Sequence, residues 1–161
     1  MVVADSSVLI PLLRIGRISL LKSLFGRIII SREVCQELRT GINGLSVFEE
    51  ACKSWIKVFE KSLPLALEIA KRECIEKADA SLILLAEDKK EILLSNDAAM
   101  ILVAWSRGIE CWWMTTFIIK CIKKKIIDKK EAKKIIIQLI QSGMHLDNVV
   151  YATLLDEIER I

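Results

Sequence analysis

Four acidic residues, Asp5, Glu37, Asp79 and Asp97, stand where carboxylates could gather to do chemistry. Asp5 interrupts the apolar run VVADSSVLI at residues 2–10. A carboxylate beside Val2, Val3 and Ala4 is costly unless something compensates it, so it either caps a helix or holds a cation. Asp97 follows the run EILLS by two residues. Glu37 lies four residues beyond Glu33, which puts both on one helical face. Asp79 has Leu82, Ile83 and Ala86 at helical spacing after it, so it lies at the edge of a buried face. Each acid also has a plain structural use. Asp5 and Asp97 can be N-caps, Glu37 can pair with Arg39 or a lysine, and Asp79 can cap its own helix or pair with Lys77. If the acids converge, like charges repel until a cation intervenes. A hard divalent ion with oxygen ligands, Mg²⁺ or Mn²⁺, answers that need. A pair of such ions ~3.5–4 Å apart can activate a water and stabilise the leaving oxygen of a phosphodiester.

The elements that must position these acids alternate between strand-like and helix-like runs. VVAD (2–5), RIII (27–30), WIKVFE (55–60), EILLS (91–95) and IECWWM (109–114) read as strands. Between them lie helices over 6–13, 17–26, 32–41, 46–53, 64–72, 77–90 and 96–108, with Ser31 as a cap and the segment GINGLS as a turn. Residues 115–161 read as three helices broken near Asp128 and near Ser142–Gly143. Strands separated by helices imply an α/β architecture with a parallel sheet and helices on both faces. Sites in such sheets form beyond the carboxyl ends of the strands. The residues to watch are therefore Asp5, Ser31 and its helix, Ser95–Asn96–Asp97, and Thr115–Thr116.

Other chemistries are poorly served. The single histidine, His145, excludes a two-histidine ribonuclease within one chain and fits no triad; it reads as a surface residue. There is no phosphate loop and no dinucleotide fingerprint. The five cysteines form no CxxC pair and read as buried reduced thiols. The 161 residues suggest one domain, and a 53% hydrophobic content with mean hydropathy +0.40 argues against disorder. No segment approaches the ~18 uncharged apolar residues that span a bilayer, and the N-terminus lacks a leader pattern, so a cytoplasmic protein is expected. Net charge is only +3, but residues 120–134, KCIKKKIIDKKEAKK, hold eight lysines against two acids. Such a stretch is either a solvated helix face or a patch for a phosphate backbone.

Taken in order, VVADSSVLI, IIISREVCQEL, KADASLILLA and ILLSNDAAMILVAWSRGI resemble the PIN-domain nucleases over residues 1–118. The similarity is to the prokaryotic branch related to the toxins of VapBC toxin–antitoxin pairs. The resemblance implies a three-layer α/β/α, flavodoxin-like fold with a central parallel sheet, extended here by C-terminal helices over about 119–161. It places the family's acids on Asp5, Glu37, Asp79 and Asp97 as catalytic and metal-holding residues. Glu76, one turn before Asp79, is a possible substitute for it. The supporting hydroxyls fall on Ser7 and Ser95. The implied activity is a Mg²⁺- or Mn²⁺-dependent endoribonuclease in which water attacks phosphorus, leaving a 5′-phosphate and a 3′-hydroxyl. Lys123, Lys124, Lys125, Lys129 and Lys130 are the candidate RNA-binding residues. The implied partners are RNA, a small antitoxin-like protein and a second copy in a homodimer, with no membrane. The alternative is a non-catalytic PIN-fold module that binds RNA or another protein.

Overall fold

Short, mostly apolar runs form the strands of this computed structural model, which describes residues 1–41, 44–60 and 63–161. β1 (Val2–Ala4) and β2 (Ile28–Ser31) are buried along their whole length. β3 (Ile56–Phe59), β4 (Ile92–Leu94) and β5 (Cys111–Trp112) complete one sheet in the order β3-β2-β1-β4-β5, with every neighbouring pair parallel. Strands covered on both faces read as continuous hydrophobic runs rather than alternating ones. The chain builds β2 and β3 to one side of β1, then crosses to build β4 and β5 on the other. The strand order thus reverses between β1 and β4. In open parallel sheets a crevice forms at such a switch point, beyond the carboxyl ends of the two strands.

The helices are α1 (Ser6–Arg14), α2 (Ser19–Phe25), α3 (Arg32–Gly41), α4 (Leu45–Ser54), α5 (Leu65–Glu73), α6 (Lys77–Lys89), α7 (Ala98–Ser106), α8 (Met114–Lys123), α9 (Lys129–Gln141) and α10 (Asn148–Arg160). α6 is buried without a break from Ala80 to Ala86. It lies against β1, β2 and β4 on one side, while α5 covers it on the other through Ala66, Ile69 and Ala70. A helix apolar all round is a helix covered all round. The C-terminal helices share the sheet's core: Phe117, Ile118, Ile135, Ile136, Leu139, Leu154 and Ile158 belong to the same buried cluster as Val2, Val3 and Leu93.

All five strands differ in extent from the expected runs, and at two of them the hydrogen bonds show why. β1 stops at Ala4, because the Asp5 side chain accepts the Ser6 and Ser7 N–H groups and so starts α1. The last strand keeps two of its six expected residues, because the Met114 N–H is taken by the Asn96 side-chain carbonyl at 3.0 Å and α8 begins there. Ser31 ends β2 and also caps α3, its hydroxyl accepting the Val34 N–H at 3.2 Å. The GINGLS turn falls partly on residues 42 and 43, outside the described residues. Among the described residues no helix is long and apolar enough to cross a membrane.

Candidate active site

The parallel register of β1 on β4 aligns Val3 with Leu93 and Ala4 with Leu94, and the Asp5 N–H continues it by donating to the Leu94 carbonyl at 3.0 Å. The next residues along, Asp5 and Ser95, therefore meet at the switch point. Asp5 is 6% exposed and Ser95 wholly buried. Both oxygens of the Asp5 carboxylate accept hydrogen bonds. Oδ1 accepts the Ser6 N–H at 2.7 Å; Oδ2 accepts the Ser7 hydroxyl at 2.5 Å and the Ser95 hydroxyl at 3.1 Å. Each serine oxygen in turn accepts a backbone N–H from the loop after β4: Asn96 donates to Ser7 at 2.9 Å, and Asp97 donates to Ser95 at 3.0 Å. The two hydroxyls orient the aspartate, and the loop orients the hydroxyls. The desolvation cost of a buried carboxylate is met by these donors.

Asp97 caps α7, its Oδ1 accepting the Met100 N–H at 2.8 Å, and is itself exposed. Capping and site-building coincide at Asp5 and Asp97, because a strand-to-helix junction delivers both a helix N-terminus and the sheet's carboxyl end.

Asp5, Ser7, Glu37, Glu76, Asp79 and Asp97 all line one cleft of 380 Å³, which also takes in Cys74. Its lining holds five carboxylates and no lysine or arginine. Asp79, in the first turn of α6, is half-buried and its carboxyl is pushed up to about 6. Burial is the largest cause; the charges of Asp5, Asp97 and Glu76 follow, and a backbone hydrogen bond from Glu76 works the other way. The expensive edge position read from the sequence is thus also a position facing other acids. Glu33, which shares a helical face with Glu37, does not line the cleft. Glu76 lines it beside Asp79, so the two candidates for the mid-chain position are neighbours at one wall rather than substitutes at different places.

Apart from the Cys74 thiol the donor set is carboxylate oxygen, which suits Mg²⁺ or Mn²⁺. Among the described residues no three potential ligands stand together as a ready-made cluster. Mg²⁺ keeps several waters and binds through one or two carboxylates, so an open acidic cleft fits it better than a closed cage would.

The five lysines lie elsewhere. None lines the acidic cleft. Lys123 pairs with Glu157 of α10 at 3.7 Å, and Lys129 donates to the Glu159 carbonyl at 2.8 Å. Lys124, Lys125 and Lys130 are exposed around the turn between α8 and α9. Of the cysteines, Cys35 and Cys121 are buried, and burial pushes the Cys121 thiol up to about 12. Cys74 departs from the expected buried thiols: it closes α5 in a left-handed conformation, φ 55°, and is exposed.

Sequence reasoning missed the linking role of Asn96, whose N–H and side-chain carbonyl tie α1 and α8 to the loop after β4. Its only local signal is its place between Ser95 and Asp97, where Asn is a common turn residue.

No curated protein matches this chain. Among solved structures, it is similar to PAE2754 from Pyrobaculum aerophilum, at 21% identity and a TM-score of 0.47, over 68% of this chain and 88% of that one. The family model DUF3368, described as a PIN domain, matches residues 1–160. PIN domains are generally nucleases and bind nucleic acid. With that match spanning its sheet, its acidic cleft and its C-terminal helices, the chain belongs to the DUF3368 family of PIN domains.

Proposed function

We propose that this protein is a divalent-metal-dependent endoribonuclease that hydrolyses RNA phosphodiester bonds, and that it acts as the toxin of a toxin–antitoxin pair. The observation that carries the nuclease reading is the cleft itself: five carboxylates, no basic side chain, at the switch point of a parallel sheet. Asp5, Asp79 and Asp97, with Glu37 on the facing helix, are the residues that would hold Mg²⁺ or Mn²⁺. When bound, such an ion supplies Lewis acidity that makes water nucleophilic near neutral pH and offsets charge on the scissile phosphate.

The chain's own groups do the positioning. Ser7 and Ser95 hold Asp5 in one orientation, so it needs little rearrangement to receive a cation. The Asp97 carboxylate is fixed on the N-terminus of α7 by its cap bond to Met100. Hydrolysis forms a bond from water oxygen to phosphorus and breaks the bond to the 3′-oxygen, which takes up a proton; the products are a 5′-phosphate and a 3′-hydroxyl. The lysines of residues 123–130 would supply sequence-independent attraction to the RNA backbone. Leu102, 63% exposed, and Trp105, 50% exposed, sit on α7, the helix that Asp97 caps, and are the apolar surface on which an antitoxin-like protein or a second copy of the chain would settle.

The test is incubation of the purified protein with labelled single-stranded RNA in Mn²⁺, Mg²⁺ or EDTA, beside Asp5→Asn and Asp97→Ser. Cleavage that needs the metal and is lost in both folded variants is the expected result. Binding without cleavage would make the protein an RNA-binding module. A protein that neither binds nor cleaves RNA would leave Asp5 and Asp97 as helix caps.

A further inference from the structure

A second hollow, of 350 Å³, opens one residue away from the acidic cleft. Its walls are Asn96, from the loop after β4; Trp113 and Thr115, at the start of α8; and Met144, His145 and Asp147, in the segment that leads into α10. Asn96 precedes Asp97 directly, so the two spaces share a wall through one peptide unit. The hollow also shares Thr115 and Val150 with a groove of 360 Å³ between α8 and α10, lined by Lys120 and by the Lys123–Glu157 ion pair. The carboxylates, the hollow and the groove with Lys120 thus follow one another through Asn96, Thr115 and Val150.

We propose that this hollow takes one nucleobase of the single-stranded RNA whose phosphodiester lies at the acidic cleft, making Trp113 and His145 specificity-determining residues. The inference rests on the nuclease reading for its substrate but not for its geometry. Three features select a base over a phosphate. Trp113 and His145, both in the lining, carry flat rings of the kind on which bases stack. Asp147 places a carboxylate in the wall, which repels phosphate and accepts hydrogen bonds from ring N–H or amino groups. Its Oδ1 is used by the Val149 and Val150 N–H groups, while Oδ2 remains for a ligand. The third is Asn96: its N–H and its side-chain carbonyl are committed to Ser7 and Met114, and among the described residues its side-chain NH₂ donates to no protein acceptor. A spare donor and a spare acceptor beside an aromatic face match the edge and the plane of a base. Lys120, in the groove beyond, would meet the backbone of the next nucleotide.

The experiment uses a short labelled RNA in EDTA, in which one nucleotide at a time is replaced by an abasic residue, with binding read by fluorescence anisotropy. Wild type is expected to lose roughly 5- to 100-fold in affinity when the base for this hollow is missing. Trp113→Ala and His145→Ala should bind intact RNA as weakly as wild type binds that abasic RNA, and Trp113→Phe should restore most of the difference. Circular dichroism and thermal melting establish that the variants are folded; His145 is exposed, so its variant tests the idea even if Trp113→Ala unfolds. Equal affinity for intact and all abasic RNAs, or unchanged discrimination in both alanine variants, would overturn the proposal. Cleavage in Mn²⁺ is measured separately. Cleavage without base discrimination refutes the hollow and leaves the nuclease standing. Base discrimination without cleavage refutes the nuclease and supports the hollow.

Discussion

The hydroxyl of Ser95 donates to Oδ2 of Asp5 at 3.1 Å across the β1–β4 junction, and the same hydroxyl oxygen accepts the Asp97 N–H at 3.0 Å. One wholly buried serine therefore sets the position of two acids that lie far apart in the chain.

Replacing Ser95 with alanine removes a donor from a buried carboxylate and an acceptor from a backbone amide. The expected cost is about 1–3 kcal/mol of stability. If Asp5 holds a metal, outer-sphere support of this kind is worth about 10–100-fold in metal affinity or activity. Chemical denaturation and an Mn²⁺-dependent cleavage assay read the two effects separately. A Ser95→Ala protein of unchanged stability and activity would mean that Asp5 is oriented by the α1 N-terminus alone.

Asp97→Ser isolates the carboxylate from the cap. Serine caps helices about as well as aspartate, so stability should change by less than about 0.5 kcal/mol, whereas Asp97→Ala should cost ~1 kcal/mol. Both substitutions should abolish cleavage. Activity retained in the serine variant would leave Asp97 with capping as its only role.

Asp79 makes the metal-free protein sensitive to pH in an unusual direction. Its folded-state pKa, about 6, lies above the ordinary carboxylate value, so its stabilising contribution is fully present below about pH 4 and is lost as pH rises toward 6. Asp79→Asn in EDTA should therefore melt higher than wild type at pH 7–8, by roughly 3 °C for about 1 kcal/mol, with the gap closing toward pH 4. Mn²⁺ should raise the wild-type melting temperature at neutral pH and do little for the variant. A gap that does not change with pH would show that Asp79 carries no such burden.

Lys124, Lys125 and Lys130 are exposed, whereas Lys123 and Lys129 are engaged with α10. If the exposed three meet RNA phosphates, alanine at each should weaken binding similarly for all sequences. The slope of log affinity against log salt should become shallower by about 0.7 for each phosphate that is no longer neutralised. A solvated helix face would leave both affinity and slope unchanged.

The C-terminal helices should be inseparable from the sheet. Ile136 on α9 has no solvent exposure and lies in the same core as β1. Ile136→Ala is expected to cost about 2–5 kcal/mol, read as a shift in the denaturation midpoint at constant slope. A change under ~1 kcal/mol would mean that α9 folds as a loose appendage.

Local structure is legible in the chain itself. Apolar runs such as VVA and ILL become strands because nothing polar interrupts them; Asp5, Ser31, Asp97 and Asp128 start helices because their short side chains reach the free N–H groups one to three residues on. The acids could be nominated because an aspartate at the end of a buried run needs a reason. Whatever depends on strand order and register emerges only when the elements pack. Placing β4 beside β1 brings Ser95 onto Asp5 and Asn96 onto Ser7, contacts between residues about ninety positions apart that no periodicity encodes. Packing also turned Asp79 toward Asp5 and Asp97, which repulsion then marks. It drew Lys123 and Lys129 onto α10, left Cys74 exposed at the cleft, and brought Trp113 and His145 to the walls of one hollow. Local preference selects an element from a few neighbouring residues, whereas a site is assembled by packing among elements whose order along the chain says little about their order in space.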